Sequence, residues 1–220
     1  MGHRDTTLKT KEETTYDALR ELVLSGEMPI GQFLSQRRLA ERVGCAVVTL
    51  RAALRQLENE GLIENVPRWG VRVPKETQDS LRDRYYVREV FEVEAVRQIV
   101  RHREVLDFTR LEALAAECDF LAGEPSAAPS AFGTTHFAFH HHLVELSGSR
   151  TLATSYARNS LKSVFLWNAV HVWQNEQPQH VRDHVQLVQI LRTKTEEEAV
   201  ETIIHHVRRG LADELAILSR

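Results

Sequence analysis

The sequence predicts a mainly α-helical chain in two modules. A short N-terminal unit of three helices closed by a β-hairpin precedes a longer all-α helical bundle. Three observations carry this. Apolar residues recur at helical spacing over most of the chain. Two short β-branched runs, Leu62 to Val66 and Val71 to Val73, flank a Pro-Arg-Trp-Gly turn. Charge changes after that turn: residues 1–75 hold 12 Lys+Arg against 10 Asp+Glu, and the remainder holds 16 against 21.

The elements follow in order. ETTYDALRELVL, residues 13–24, sets Tyr16, Leu19, Leu22 and Val23 on one helical face, and Gly26 and Pro29 end it. LSQRRLAERVG is a short helix with Ser35 as N-cap and Gly44 as its stop; Arg38 stands where a capping box needs Glu or Gln, so the box is absent. A third helix, Val47 to Glu60, turns Leu50, Leu54 and Leu57 inward and stops at Gly61. The hairpin follows. Helix, short helix, turn, helix, hairpin is the layout of a winged helix-turn-helix. Its expected span is 1–74, with a polar linker over 75–80 and the helical domain over 81–220.

Composition narrows the function. With 42% hydrophobic residues, 220 positions can bury a real core. A net charge of −3 gives no global cationic field. Two cysteines cannot build a disulfide framework, and no apolar run spans a bilayer or resembles a signal peptide. A cytoplasmic protein with no membrane partner is expected.

The first module carries a local cationic face. Between Leu34 and Gln56 stand Arg37, Arg38, Arg42, Arg51 and Arg55 against the single acid Glu41. Arg51 and Arg55 are one helical turn apart, and Arg68 and Arg72 lie on the hairpin, in reach of a backbone or minor groove. An ordinary solvated surface explains the same charges. The run GQFLSQRRLAERVGCAVVTLRAALRQLENEGLIENVPRWGVRV, however, resembles the DNA-binding domain of the GntR family of bacterial regulators, over about Ala18 to Pro74. The resemblance implies that Arg37, Arg51, the residues near Thr49 and the wing around Gly70 face double-stranded operator DNA. The sequence departs from the family where a Ser/Thr-Arg pair normally opens the recognition helix: it has Ala46-Val47, and Ala52 replaces a common glutamate.

In the second module, breaks at GEPSAAPSAFG, SGSR, QNEQPQ and RTKTEE delimit six or seven helices. Of 11 histidines only His3 precedes position 100. At about 100° per residue, His136 and His140 share the apolar face of HFAFHHHLVELSG, while His141 and His142 turn toward its rim. His184 aligns with Val188 and Leu191, and His206 with Ala199 and Ile203, with His205 pointing away. Three helices therefore each offer histidine to the interior. Converging imidazoles are tolerable around a divalent cation; separately hydrogen-bonded interfacial histidines are the other reading.

This module resembles the FCD-type ligand-binding domain of the FadR subgroup, over about residues 80–218, through REVFEVEA, FHHHLVELSGS and two later histidine-bearing helices. The intervals of 44 residues from His140 to His184 and 22 to His206 match that family and select His206 over His205. The resemblance implies a divalent transition metal held by His136, His140, His184 and His206, with His136 at a position where the family has aspartate. Four imidazoles favour zinc or nickel over magnesium or calcium. Three histidines with water, or a cavity filled by a small acid alone, are the alternatives. Arg88 resembles a family arginine that meets a carboxylate, or it pairs with Glu92 on the surface; Asn168 and His180, with Trp167, His171 and Trp173, are candidate pocket residues.

The expected protein is a homodimeric, ligand-responsive transcription regulator, by resemblance a repressor, whose effector is a small carboxylate or other metabolite anion. A metal-dependent enzyme or a direct metal sensor could use the same cluster. Glu145 is the nearest general base and lies off the interior face, so an enzyme is not expected.

Overall fold

The computed structural model describes residues 9–25, 27–124, 127–158 and 183–219. They form two compact units, Met1–Lys75 and Glu76–Arg220. Each is described by itself.

The first unit holds α1 (Lys11–Leu24), α2 (Gln36–Val43), α3 (Val47–Asn59) and the hairpin β1 (Glu64–Val66) and β2 (Gly70–Arg72). Helix α1 starts earlier than its apolar spacing predicts. Thr10 and Glu13 form a capping box: Glu13 N donates to Thr10 Oγ1 at 3.1 Å, and Thr10 N donates to Glu13 Oε2 at 2.7 Å. Ser35 caps α2 by accepting from Arg38 N at 3.2 Å, and Gly44 ends it at φ 73°. Helix α3 packs across α1. Leu19, Leu50, Leu54 and Leu57 are almost fully excluded from water, each contributing about 1.5–3 kcal/mol of apolar transfer.

The wing is shorter on its first strand than the β-branched run suggests. Leu62 and Ile63 are both buried, and Leu62 N is bonded to Leu57 O at the helix end, so neither alternates as a half-buried strand does. The register pairs Glu64 with Arg72, Asn65 with Val71 and Val66 with Gly70. Leu34 also pairs with Val71. That approach requires Gly70: at φ 106°, a Cβ there would stand 2.4 Å from Leu34 O.

The second unit holds α4 (Gln78–His102), a 3₁₀ turn (Arg103–Val105), α5 (Thr109–Gly123), α6 (Pro129–Leu146), α7 (Arg150–Arg158), α8 (His184–Thr193) and α9 (Glu196–Leu218). Helix α4 begins inside the stretch expected as linker, because Thr77 and Ser80 form a reciprocal cap. Helix α4 packs on α9 and α6, and α5 packs on α6 and α8. Their shared interior contains Val96, Ile99, Leu111, Phe139, Leu143, Leu191, Ile203 and Val207. No described helix is long and apolar enough to cross a membrane.

Candidate metal centre

Helix α6 places His136 and His140 one turn apart on its inner face. His140 is fully buried and His136 half-buried. Their neighbours His141 and His142 lie toward the rim and meet the exposed Glu145 at 3.6 and 2.9 Å. His184 is the first residue of α8 and fully buried. On α9, His206 is buried and His205 exposed. One nitrogen from each of His136, His140, His184 and His206 lies within 4.8 Å of the other three.

The Nε2 atoms make this convergence. His140 Nε2 is 3.0 Å from His136 Nε2 and 3.2 Å from His206 Nε2. Arg88 Nη2 reaches the same His140 nitrogen at 2.9 Å. Among the described residues His184 Nε2 is buried with no hydrogen-bond partner. Behind the rings stand carboxylates. Asp119 Oδ1 accepts from His184 Nδ1 at 2.9 Å. Glu92 Oε2 lies 3.0 Å from His140 Nδ1, and Asp183 Oδ1 lies 3.2 Å from His206 Nδ1. The last two contacts are close but lie off the N–H axis.

The residues fit a divalent transition metal. With the Nδ1 proton of His184 held by Asp119, and carboxylates beside the Nδ1 edges of His140 and His206, the Nε2 edges of these three rings present lone pairs to the centre. The one lone pair of His140 Nε2 then faces Arg88 and two other imidazoles, and His184 Nε2 has no donor, an arrangement that a cation would satisfy. Burial first, then the neighbouring cationic groups, pushes the His136 and His140 pKa values well below the usual imidazole range. His206 is also lowered, mainly by burial, with Asp183 opposing. Neutral imidazoles are the ligating form.

Arg88 is 2% exposed and donates from Nε to Glu92 Oε1 at 2.7 Å. Its pairing with Glu92 is thus an interior feature, which corrects the surface-pair reading. Tyr156 on α7 donates to the same Glu92 oxygen at 2.7 Å. Beside this cluster, a groove of about 460 Å³ between α8 and α9 is lined by Asp183, Lys194, His205, His206 and Arg209 among others. Asn168 and His180, with Trp167, His171 and Trp173, lie outside the described residues. The sequence pointed to neither Asp119 nor Asp183. Asp183 directly precedes His184, but adjacency does not reveal that its carboxylate serves His206 instead.

In the first unit, Arg37, Arg38, Arg51, Arg55 and Arg68 are exposed, and Thr49, Gly70 and Arg72 half-exposed. Arg37 meets Glu41 at 3.2 Å, Arg51 Nε donates to Gln36 Oε1 at 3.1 Å, and Arg72 Nε donates to Glu64 Oε2 at 2.7 Å. Ala46 occupies the N-cap of α3 without a side-chain bond.

Comparison with known proteins assigns both units. Residues 11–73 match the model of bacterial regulatory proteins of the gntR family, and residues 83–209 match the FCD domain. The HTH-type transcriptional regulator YdhC of Bacillus subtilis is 22% identical over 196 residues, covering 87% of this chain and 85% of its own. A putative GntR transcriptional regulator from Rhodococcus sp. RHA1 superposes with a TM-score of 0.72 at 20% identity, covering 94% of this chain and 99% of that one. McbR/YncC of E. coli superposes at 0.67 with 18% identity, over 96% of this chain and 98% of its own. Winged helix, helical domain and family models agree: this chain belongs to the GntR family, with the GntR-plus-FCD architecture of the FadR subgroup, and is a DNA-binding transcription regulator rather than an enzyme.

Proposed function

We propose that the helical domain holds a divalent transition metal, zinc or nickel, through His136, His140, His184 and His206, and that a small organic acid bound beside it controls operator binding. The observation that carries this reading is the meeting of four imidazole nitrogens from three helices within 4.8 Å. When bound, the metal supplies a Lewis-acidic centre that retains its full charge among neutral ligands and attracts an anion. Arg88 contributes a second fixed positive charge in direct contact with the cluster. The groove reaching His206, where Lys194 and Arg209 stand among the acids Asp183, Glu198 and Glu201, gives a small carboxylate or similar metabolite anion a polar approach to the cluster.

The regulator acts as a cytoplasmic homodimer that sets two winged helices on a pseudo-palindromic operator and represses until ligand binds. Arg37, Arg38, Thr49, Arg51, Arg55, Arg68, Gly70 and Arg72 form its DNA face. To release the operator, the anion must bind more tightly to one arrangement of the two units than to another.

Elemental analysis of untagged full-length protein tests the metal, and operator gel shifts at physiological salt test the regulation. About one equivalent of zinc or nickel per chain, with a melting temperature that falls on chelation, is expected. Less than about a tenth of an equivalent, with melting unmoved by chelator or added metal, refutes the metal reading. No selective shift across neighbouring intergenic DNA refutes the operator reading.

A further inference from the structure

The two aspartates that face His184 and His206 have exchanged the roles their sequence positions suggest. Asp183 is the N-cap residue of α8, where a carboxylate ordinarily accepts from the first backbone N–H groups. It makes no side-chain cap bond. Its carboxylate instead lies 3.2 Å from His206 Nδ1 on α9 and accepts from Arg209. The α8 N-terminus is served from another helix. Asp119, on α5, accepts from His184 N at 3.2 Å and Val185 N at 3.1 Å, and from the His184 ring at 2.9 Å. A cap does not need this exchange, since Asp183 already stands where a cap belongs. The exchange does turn both Nδ1 edges away from the cluster and both Nε2 edges into it.

We infer that Asp119 and Asp183 are positioning residues of the metal centre: Asp119 fixes the tautomer and orientation of His184, Asp183 faces the Nδ1 edge of His206, and together they supply, from behind the rings, the negative charge that an all-imidazole ligand set lacks. The inference rests on the metal reading of the four histidines. The four converging groups are all imidazoles, with no carboxylate among them, so a divalent cation gains no neutralisation from its ligands. Asp119 and Asp183 return two charges at one remove. Hydrogen bonding to an anion makes imidazole a stronger donor to the metal, so loss of an outer carboxylate typically weakens binding 10- to 100-fold. Glu92 stands in the same relation to His140, but it also neutralises buried Arg88, so its substitution would report two effects at once. Asp183 also pairs with Arg209, but that guanidinium is half-buried rather than enclosed, so it keeps access to water when the carboxylate is removed. Asp119 ties the centre to α5, and Asp183 ties it to Arg209 beside the open groove.

The test uses full-length Asp183→Asn and Asp119→Asn chains. Cobalt(II) and zinc affinities are measured by chelator competition, visible cobalt(II) bands report the ligand field, and melting of the chelated protein reports the scaffold. Asp183→Asn is the cleaner variant, since its carboxylate caps nothing; it remains informative if Asp119→Asn fails to fold. The expected result is a 10- to 100-fold loss of affinity with displaced cobalt(II) bands and unchanged melting of the chelated form. Wild-type affinity within about twofold in both variants, while the parent chain loads normally, overturns the inference and leaves the metal reading intact. A loss matched by an equal fall in melting of the chelated form also overturns it, by assigning the carboxylates to the scaffold. A parent chain that loads neither metal removes the metal reading itself, and this inference with it.

Discussion

Arg88 and His140, 52 residues apart in sequence, meet in the interior: Arg88 Nη2 lies 2.9 Å from His140 Nε2. The guanidinium is anchored from its other edge by Glu92, which also receives Tyr156. Burial opposes the charge on Arg88, but the Glu92 carboxylate outweighs it and holds the pKa above the usual arginine value. A buried pair of this kind is weak evidence for net stability, yet breaking it from one side is costly because the remaining charge has no water. Arg88→Met alone is therefore expected to destabilise the chain by about 3–5 kcal/mol. Arg88→Met with Glu92→Gln should cost clearly less than the sum of the two single changes. Urea unfolding of the four chains closes this cycle; simple additivity would show that the pair is not coupled.

His136 is the most exposed of the four converging histidines. Its ring is half-buried, while His140, His184 and His206 are buried. If it ligates, His136→Ala weakens zinc at least about tenfold, and His136→Asp retains binding while moving preference from zinc and nickel toward manganese, because carboxylate is the harder donor. Competition titrations measure both. Unchanged zinc affinity in His136→Ala would leave a three-histidine centre.

Glu214 is a buried acid away from the histidines, 6% exposed, and accepts from Tyr85. Burial pushes its pKa well above the usual carboxylate range despite Tyr85, Arg88 and Arg84, which lower it. The sign follows. Above the ordinary value the unfolded chain has released this proton while the folded chain keeps it, so stability falls as pH rises toward the raised folded value, by at most about 1.4 kcal/mol per pH unit. Glu214→Gln removes that contribution. Its stability relative to the parent should grow between pH 5 and neutrality in urea unfolding; a constant difference would mean that Glu214 titrates normally.

Much of this was legible in the sequence, and the exceptions have a common cause. Leu50, Leu54 and Leu57 reveal α3 because a periodic stripe must bury one face. The i, i+4 pair of His136 and His140 reveals a shared face for the same reason. The early start of α1 was written in Thr10 and Glu13, a local signal that apolar spacing does not contain. Asp119 and Asp183 were not legible. Each acts on a histidine reached only through tertiary packing, Asp119 from 65 residues away, and an acidic residue on a helix otherwise suggests only a solvated face. Arg88 and Glu92 show the same limit: their spacing announces a pair, but not that the pair is buried.

On the first unit, Arg51 and Arg55 project from the exposed side of α3. A phosphate contact releases about one counterion, whereas a base contact changes which sequence is preferred. Arg55→Ala is expected to weaken operator and random duplex alike and to reduce the salt slope by about one. Arg51 donates to Gln36 on α2, which fixes its side chain in place, so Arg51→Ala should lose more against operator than against random duplex. Titrations at several salt concentrations with both duplexes decide this; equal losses on the two duplexes would make Arg51 a phosphate contact as well.

Ala46 gives the last prediction its sign. It sits at the N-cap of α3 with φ −71° and ψ 145°, the extended conformation an N-cap residue adopts, but offers no side-chain acceptor. Its carbonyl already accepts from Leu50 N at 3.0 Å, so the backbone is in place and only the oxygen is missing. Ala46→Ser supplies it without strain and should stabilise α3 by about 1 kcal/mol. Global unfolding is a blunt readout, because two compact units need not unfold together. Amide exchange is local: protection at Val48 and Thr49, the donors a capping hydroxyl would satisfy, should rise about fivefold, as 1 kcal/mol implies. Unchanged exchange there would show that the start of α3 is already held by contacts that a cap cannot improve.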